Sequence, residues 1–340
     1  MKAPALCPGD VIGIVAPSWC GPATFPHRIE RGKAALEALG YQVVSAAHAY
    51  GRHGYLSGTP EERAADLHAF LADPHVRMII AAIGGDHSCH LLPHLDWDLI
   101  RRNPKILIGF SDMSVLNVAI YARCGLVTFN GPAAMTDFGE YPHPLAYTLD
   151  YFQRTVGAAE PVGEIVPAQA WTEEFLDWAT REDLRRPRAM QPASGWAWLK
   201  GGRAEGRLVG GCLESLEHLR GTPYWPSMDR AVLFLETSEA VPPPARIDAL
   251  LQDYENMGVF AQLQGLLFGR PYRYTDLQRQ ELHAVLLERT RHYDFPIIAD
   301  MDFGHTAPQF TLPIGCQALI DVAQRRFAIV EAAVSPRPWR

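Results

Sequence analysis

The chain has 340 residues, 48% of them hydrophobic, and carries a formal net charge of −7 at pH 7. This length and apolar content predict two globular domains, and the acidic balance argues against a dedicated nucleic-acid binder. Six cysteines are scattered without metal-binding spacing, which is typical of a reducing compartment. Pro4 and Pro8 interrupt the N-terminal segment and no apolar run is long enough to span a bilayer, so we expect a cytoplasmic protein without membrane contact.

Residues 1–158 alternate short apolar runs with segments of helical periodicity. The apolar runs are DVIGIVAPS, YQVVSAA, VRMIIAAIGG, KILIGF and LVTFNGP. Their continuous apolar character predicts a parallel sheet with helices on both faces. In such sheets ligands bind beyond the carboxyl ends of the strands. Three strand ends, Ala16–Ser18, Gly84–His87 and Gly109–Asp112, should therefore lie on one rim.

The remaining chain changes character twice. Residues 159–202 are punctuated by proline and contain four of the eight tryptophans, which predicts a linker with a tryptophan-rich, lid-like segment. From residue 203 to residue 340, glycine turns, helical segments and runs such as AVLFLETS and LQGLLFG follow one another. This pattern predicts a second domain of mixed α/β structure.

The segment ILIGFSDMSVLNVAIYAR predicts a strand, a sharp turn and a helix, with Ser111 at the turn. That arrangement exposes a serine hydroxyl above the sheet and aims helix N–H groups at its neighbourhood. Met113 stands where an ordinary α/β-hydrolase has glycine, which disfavours that class. A serine before a helix is most often an N-cap. By itself the segment leaves both a nucleophile and a cap open.

Two distant segments contain residues that could complete a hydrolytic site. Glu236 ends the apolar run VLFLETS, and His305 follows glycine in the turn-rich segment DFGHTAPQF. A serine nucleophile needs a base, and the base needs a carboxylate to fix its tautomer. Taken separately, Glu236 could instead pair with an arginine and His305 could bond to backbone.

The segments IGGDHS, GFSDMSVLNVAIYARCGLVTFNGP, FLETSE and FGHTAPQFTLPIG occur in this order, and over nearly its whole length the chain resembles the serine LD-carboxypeptidase family. WTEEFLDW, GWAWLKGG and GRLVGGCLESLEHLRGTPYWP are most similar to its microcin C self-immunity branch. The resemblance implies a Rossmann-like N-terminal domain with Ser111 as nucleophile, a mixed α/β C-terminal domain with Glu236 and His305 as triad acid and base, an active site between them, and a homodimer. It also implies an oxyanion hole formed by the backbone N–H groups of Gly85 and Asp112.

The resemblance also concerns substrate contacts. The immunity branch stacks an aromatic side chain on the adenine of an aminoacyl-adenylate analogue, for which Trp171, Phe175 and Trp178 are candidates here. The same spacing is equally typical of a packed helix face. Cys212 is a fourth candidate, because it stands where many relatives carry asparagine in a GG-Asn-Leu turn. A thiol is a poorer hydrogen-bonding group than an amide, so Cys212 bears on substrate preference.

Other interpretations compete with this one. IGGDHS is similar to the glycine-rich turn of NAD and lipid kinases, but His87 replaces its final glycine and no P-loop lysine pattern is present, so a phosphotransferase is a distant alternative. His87, His90 and His94 could gather around a metal, but Pro93 interrupts the segment, which favours surface or capping histidines. A two-domain binding protein would have a cleft without a reactive serine.

The sequence thus predicts a serine carboxypeptidase or amidase that uses no metal and no organic cofactor. The expected substrate is a peptidyl- or aminoacyl-nucleotide antibiotic of the microcin C type. The alternative is the LD-linked murein tetrapeptide of cell-wall recycling. The tryptophan-rich segment favours the nucleotide substrate.

Overall fold

The structure, a computed structural model, describes residues 1–337. Its strands, numbered along the chain, are β1 (Val11–Val15), β2 (Gln42–Ser45), β3 (Val76–Ala81), β4 (Ile106–Ile108), β5 (Thr128–Asn130), β6 (Pro161–Ile165), β7 (Ala170–Trp171), β8 (Gln191–Pro192), β9 (Ala197–Lys200), β10 (Arg203–Cys212), β11 (Ala231–Glu236), β12 (Leu263–Gly269), β13 (Ile297–Met301), β14 (Leu312–Ile314), β15 (Gln317–Asp321) and β16 (Arg326–Ala332).

The α-helices connect these strands. They are α1 (Gly21–Thr24), α2 (Pro26–Ala38), α3 (Pro60–Ala72), α4 (Trp97–Arg102), α5 (Met113–Cys124), α6 (Ala146–Gly157), α7 (Leu213–Leu216), α8 (Pro244–Asn256) and α9 (Asp276–Arg289). Shorter helical turns occupy Ser88–His94, Ala134–Phe138, Glu182–Leu184, Glu217–Leu219 and Phe260–Gln262. Within residues 1–337, no helix combines the length and apolar character needed to cross a membrane.

Helix ends follow local sequence signals. Helix α3 begins with a capping box. The Thr59 side chain accepts a hydrogen bond from the backbone N–H of Glu62, and the Glu62 side chain accepts one from the backbone N–H of Thr59. Helix α5 ends at Gly125, whose φ of 65° is left-handed and whose N–H donates to the carbonyl of Tyr121. Gly125 therefore determines where the helix that follows the Ser111 turn ends.

The smaller sheet has the order β14-β5-β4-β3-β1-β2. Its first five strands along the chain are parallel, as the continuous apolar runs predicted, and β3, β4 and β5 are buried almost throughout. Strand β14 comes from the C-terminal part of the chain and pairs antiparallel with β5. The two halves of the chain therefore share this sheet.

The larger sheet has the order β6-β16-β15-β10-β11-β12-β13-β9. Its centre, β10 to β13, is parallel, and antiparallel strands extend it on both sides. Residues 159–202 supply both edges, β6 and β9, and a separate β7-β8 pair. Strand β6 joins because Val162 and Ile165 are buried against the sheet. The predicted fold class is confirmed, whereas the domain limits at residues 158 and 202 stay a prediction.

The three predicted strand ends meet on one rim. The Ser18 hydroxyl, after β1, accepts a hydrogen bond from the His87 N–H at 2.9 Å. The Asp112 carboxylate, after β4, accepts from the same N–H at 3.0 Å. Because the strands are parallel, their carboxyl ends converge, and the loops beyond them bond to each other.

Candidate active site

Ser111 lies in a strained turn between β4 and α5. Its φ of 61° is left-handed, an uncommon conformation for a residue with a side chain and one that raises the hydroxyl above the sheet. The buried Asn117 side chain donates to the carbonyls of Gly109 and Phe129, both at 3.0 Å, which ties helix α5 to the strand ends. The turn is therefore held between the strand ends and the helix, and the N-cap position of α5 is Asp112 rather than Ser111.

The Gly84–His87 turn packs directly against Ser111. A Cβ on Gly84 would lie 2.9 Å from the Ser111 hydroxyl, so only glycine fits there. The Asp112 carboxylate fixes the turn by accepting from the N–H groups of His87 and Ser88, at 3.0 and 2.8 Å. Sequence reasoning missed this role of the carboxylate. Its only signal was an acid beside the turn residue.

Two backbone amides remain free beside the serine. Among residues 1–337, neither the Gly85 N–H nor the Asp112 N–H has a hydrogen-bond acceptor. Gly85 lies in the turn that packs against Ser111, and Asp112 follows Ser111 in the chain; their part in an oxyanion hole stays a prediction. Backbone N–H groups without a partner are available to bind an anionic oxygen.

His305 and Glu236 reach Ser111 from the larger sheet. The His305 Nε2 lies 3.1 Å from the Ser111 Oγ, and the His305 Nδ1 lies 2.7 Å from the Glu236 Oε2. Glu236 ends β11 and is fully buried, and the His305 side chain is only 9% exposed. Gly304 permits the contact: its φ is 100°, and a Cβ there would lie 2.7 Å from the Glu236 Oε2. Hydroxyl, imidazole and carboxylate thus form one hydrogen-bonded series, the geometry of serine nucleophilic catalysis.

Glu239 is a second carboxylate at the same imidazole, and sequence reasoning missed it. Its Oε2 lies 2.9 Å from the His305 Nε2, the nitrogen that also contacts Ser111. The Glu239 side chain is 70% exposed on the loop after β11. Glu214 steadies that loop by accepting from the Ser238 N–H and hydroxyl, at 3.0 and 2.7 Å. The only signal in the sequence was a second acid three residues after Glu236.

These contacts control the charge of His305. Burial by itself lowers the pKa of the imidazole, but the carboxylates of Glu236 and Glu239 outweigh it and raise that pKa well above its usual value. Burial raises the pKa of Glu236, whose Oε1 has no hydrogen-bond partner in the described structure. The hydrogen bond from His305 lowers the pKa of Glu239 to about 2. Both carboxylates therefore stabilise the protonated form of His305.

Ser111 and His305 open into a cavity of about 680 Å³. Four aromatic side chains line it in a continuous row, with successive ring centroids 5.6 to 5.9 Å apart. We call this row the aromatic wall; it consists of Trp19, Phe25, Trp178 and Phe175. We call Ser111, His305 and Glu236 the serine–histidine centre. An apolar, aromatic-lined cavity beside a polar centre is typical of a small-molecule site.

The segment that carries Phe175 and Trp178 is attached at several places, two of which lie close to the site. Thr172 and Ala307 exchange backbone hydrogen bonds at 2.7 and 2.9 Å, two residues from His305. Asp183 is buried and pairs with Arg28 at 3.1 Å and Arg31 at 2.6 Å on helix α2. These contacts hold the aromatic wall next to the serine–histidine centre.

Trp171 and Cys212 do not line the cavity. Trp171 is buried in β7 and stacks on the Arg270 guanidinium, 4.6 Å from the ring centroid. Cys212 is buried at the end of β10, where its N–H donates to the Ser114 hydroxyl at 2.9 Å and its thiol contacts Glu214. The segment around Trp171 is a strand and turns rather than a helix, so the three aromatics do not share a face. Of the four candidate substrate contacts, the structure brings Phe175 and Trp178 to the cavity.

The His87, His90 and His94 series lies on the helical turn Ser88–His94 and at its start. His90 Nδ1 lies 3.5 Å from the Arg63 guanidinium, a cation that opposes metal binding. Across residues 1–337, no group of three or more His, Cys, Asp or Glu side chains is arranged to hold a metal ion.

Comparisons with known proteins identify the family of the chain. The LD-carboxypeptidase N-terminal domain matches residues 12–131, and the LD-carboxypeptidase C-terminal domain matches residues 205–320. Fold and matches together define a serine peptidase. The chain belongs to the LD-carboxypeptidase family, as its motifs predicted.

Three relatives are each 31% identical to the chain. A Vibrio cholerae protein that carries the name of a carboxypeptidase covers 99% of the chain and 100% of its own length. The microcin C7 self-immunity protein MccF of Escherichia coli covers 98% and 97%. A probable murein peptide carboxypeptidase of Bacillus subtilis covers 98% and 95%.

Solved structures of MccF superpose closely on the chain. The wild-type protein without ligand gives a TM-score of 0.92 at 30% identity, covering 98% of this chain and 100% of that one. MccF in complex with aspartyl sulfamoyl adenosine gives 0.92 at 31% identity with the same coverage. MccF in complex with glutamyl sulfamoyl guanosine gives 0.89 at 30% identity, covering 98% and 99%.

Proposed function

We propose that this protein is a serine carboxypeptidase or amidase that hydrolyses the amide bond of a peptidyl- or aminoacyl-nucleotide antibiotic of the microcin C type, in self-immunity or detoxification. The observation that carries the proposal is the hydrogen-bonded series Ser111, His305, Glu236 at the mouth of an aromatic-lined cavity. Its geometry meets the requirements of an activated serine.

Each side chain has a defined role in the proposed reaction. The Ser111 Oγ attacks the amide carbonyl while His305 Nε2 takes its proton and then gives it to the leaving nitrogen. Glu236 accepts from His305 Nδ1, fixing the tautomer and stabilising the imidazolium. The free N–H groups of Gly85 and Asp112 hold the oxyanion. Water, activated by His305, then releases the acyl group from Ser111.

The aromatic wall supports a nucleotide-containing substrate. Phe175 is 54% exposed at the cavity, and Trp178 presents its ring beside it, so either offers a face to a purine. The related MccF structures hold aminoacyl sulfamoyl nucleotides, in which an acyl group is joined through nitrogen to the nucleotide part. An enzyme that cleaves such a ligand needs a hydrolytic centre for the acyl bond and an aromatic surface for the base.

The second candidate is an LD-carboxypeptidase that trims murein tetrapeptides. A probable murein peptide carboxypeptidase of Bacillus subtilis is as similar in sequence as MccF is, which favours keeping this alternative. Both reactions use the same serine chemistry. They differ in the use of the aromatic wall, which would stack on the base of a nucleotide substrate and has no base to bind in a tetrapeptide.

The test offers purified protein a processed microcin C analogue and a murein tetrapeptide side by side and identifies products by mass. We expect the nucleotide substrate to be cleaved, and Ser111→Ala to reduce its cleavage about 10⁴-fold or more because triad members act as a unit. Cleavage of the tetrapeptide alone would establish the alternative. A Ser111→Ala variant as active as the wild type would disprove the mechanism.

The proposal includes a cytoplasmic homodimer that needs no metal or organic cofactor. All six cysteines are unpaired, which supports a reducing compartment. The dimer rests on the family resemblance and is checked by sedimentation of the purified protein. Activity that survives exhaustive chelation supports the absence of a metal requirement.

A further inference from the structure

Carboxylates outnumber positively charged side chains in the lining of the cavity. In the described part of the chain, two arginines line it, Arg28 and Arg188, and no lysine does. Each arginine is already paired with a lining carboxylate, Arg28 with Asp183 and Arg188 with Glu140. The lining carboxylates are Asp86, Asp137, Glu140, Glu174, Asp183 and Glu239. The cavity therefore offers an incoming anion no unpaired lysine or arginine.

The remaining carboxylates differ in how they are neutralised. Glu174 pairs with Arg186 at 2.7 Å. Asp137 is buried and accepts from the side chains of Thr136 and Gln309, and burial raises its pKa. Within residues 1–337, Asp86 has no cationic partner and Glu239 has only His305. Glu239 and Asp86 are thus the carboxylates left to act on a ligand.

Glu239 lies where the acyl half of a substrate must sit. Its Oε2 and the Ser111 Oγ both contact His305 Nε2, so the two oxygens are at most about 6 Å apart. An acyl carbon bonded to Ser111 therefore places its own substituents within reach of the Glu239 carboxylate. A cation there would pair with Glu239 and draw it away from His305 Nε2, whereas an anion would meet like charge.

We propose that Glu239 is a specificity-determining residue that selects substrates with a positively charged side chain in the acyl half and rejects those with an acidic one. This inference rests on the proposed function and narrows its substrate class to basic aminoacyl or peptidyl groups. It sets the chain apart from MccF, whose solved complexes contain aspartyl and glutamyl ligands.

The first test measures binding without turnover. Lysyl and glutamyl sulfamoyl adenosine are titrated into Ser111→Ala protein by calorimetry. The α-ammonium group is common to both ligands and cancels in the comparison. We expect the lysyl ligand to bind about tenfold more tightly, since juxtaposed like charges are strongly unfavourable. Tighter binding of the glutamyl ligand would overturn the inference alone, and no binding of either would overturn it together with the proposed function.

The second test compares kcat/KM for the two ligands in protein with an intact Ser111. We expect Glu239→Gln to lower the lysyl-to-glutamyl ratio about fivefold, the scale of an exposed ion pair, and Glu239→Lys to invert it. Glu281→Gln is the matched control, because Glu281 is an exposed acid on α9 outside the cavity lining. The lysyl-to-glutamyl ratio of kcat/KM for Glu281→Gln should equal that of the wild type. If Glu239→Gln changed kcat/KM for the lysyl and glutamyl ligands by the same factor, Glu239 would act only through His305. That result would contradict the inference.

Discussion

The serine–histidine centre and the aromatic wall are neighbours in one cavity, but they are built differently. The centre consists of side chains fixed by buried hydrogen bonds, with Glu236 fully buried and His305 almost so. The wall depends on Phe175 and Trp178, which are partly exposed and belong to a segment attached at a few points. From this comparison we expect the type of chemistry to depend on buried geometry and the choice of substrate to depend on partly exposed side chains.

The largest effect is expected at the centre, from Glu236→Gln. The amide keeps the shape of the carboxylate but can donate to His305 Nδ1, which stabilises the wrong tautomer of the imidazole. We expect kcat to fall about 10⁴-fold while KM stays near the wild-type value. Steady-state kinetics measures this, and thermal unfolding shows whether the fold is retained. Glu164→Gln, an exposed change on β6, is the control and should leave kcat intact.

A smaller effect that falls on KM is expected at the wall, from Trp178→Ala. Losing one base-stacking face should raise KM for the nucleotide substrate about tenfold and change kcat little. Trp178→Phe should recover most of the loss, because a phenyl ring still stacks. A murein tetrapeptide has no base, so its KM should not change. An equal rise in KM for both substrates would mean that Trp178 contacts no base. Its role would then be to support its own chain segment by packing on Arg28.

The same contrast explains what the sequence alone could predict. Buried strands leave continuous apolar runs, and parallel strands bring their ends together, so the rim with Ser18, His87 and Asp112 followed from pattern and topology. Ser111, Glu236 and His305 were predicted because Ser111 lies in a turn after a strand, Glu236 ends a strand and His305 follows a glycine, each within a family motif. Their contact spans both halves of the chain and is visible only in the fold.

The side-chain contacts that could not be predicted lie in irregular segments, whose packing against the two sheets has no pattern in the sequence. Trp171 has the same composition signal as Trp178, yet one packs under Arg270 and the other faces the cavity. Helical spacing was no guide, because the segment forms β7 and turns. Glu239 looks like any exposed acid until β11 and the His305 loop bring it to the imidazole. Position along the chain does not determine such contacts.

The smallest expected effect is a shift in the pH profile, caused by the exposed Glu239 carboxylate beside the buried centre. Free enzyme needs neutral His305 as base, and the neighbouring carboxylates of Glu236 and Glu239 raise the pKa of that imidazole. As pH falls through the raised pKa, His305 gains a proton and kcat/KM declines, so the acid limb should have its midpoint above about 6.5, the ordinary value. Glu239→Gln removes one carboxylate that stabilises the imidazolium, so the midpoint should move to lower pH, while Glu281→Gln leaves it in place. A wild-type midpoint at or below the ordinary value, or one that Glu239→Gln does not move, would show that Glu239 leaves His305 before the base is needed.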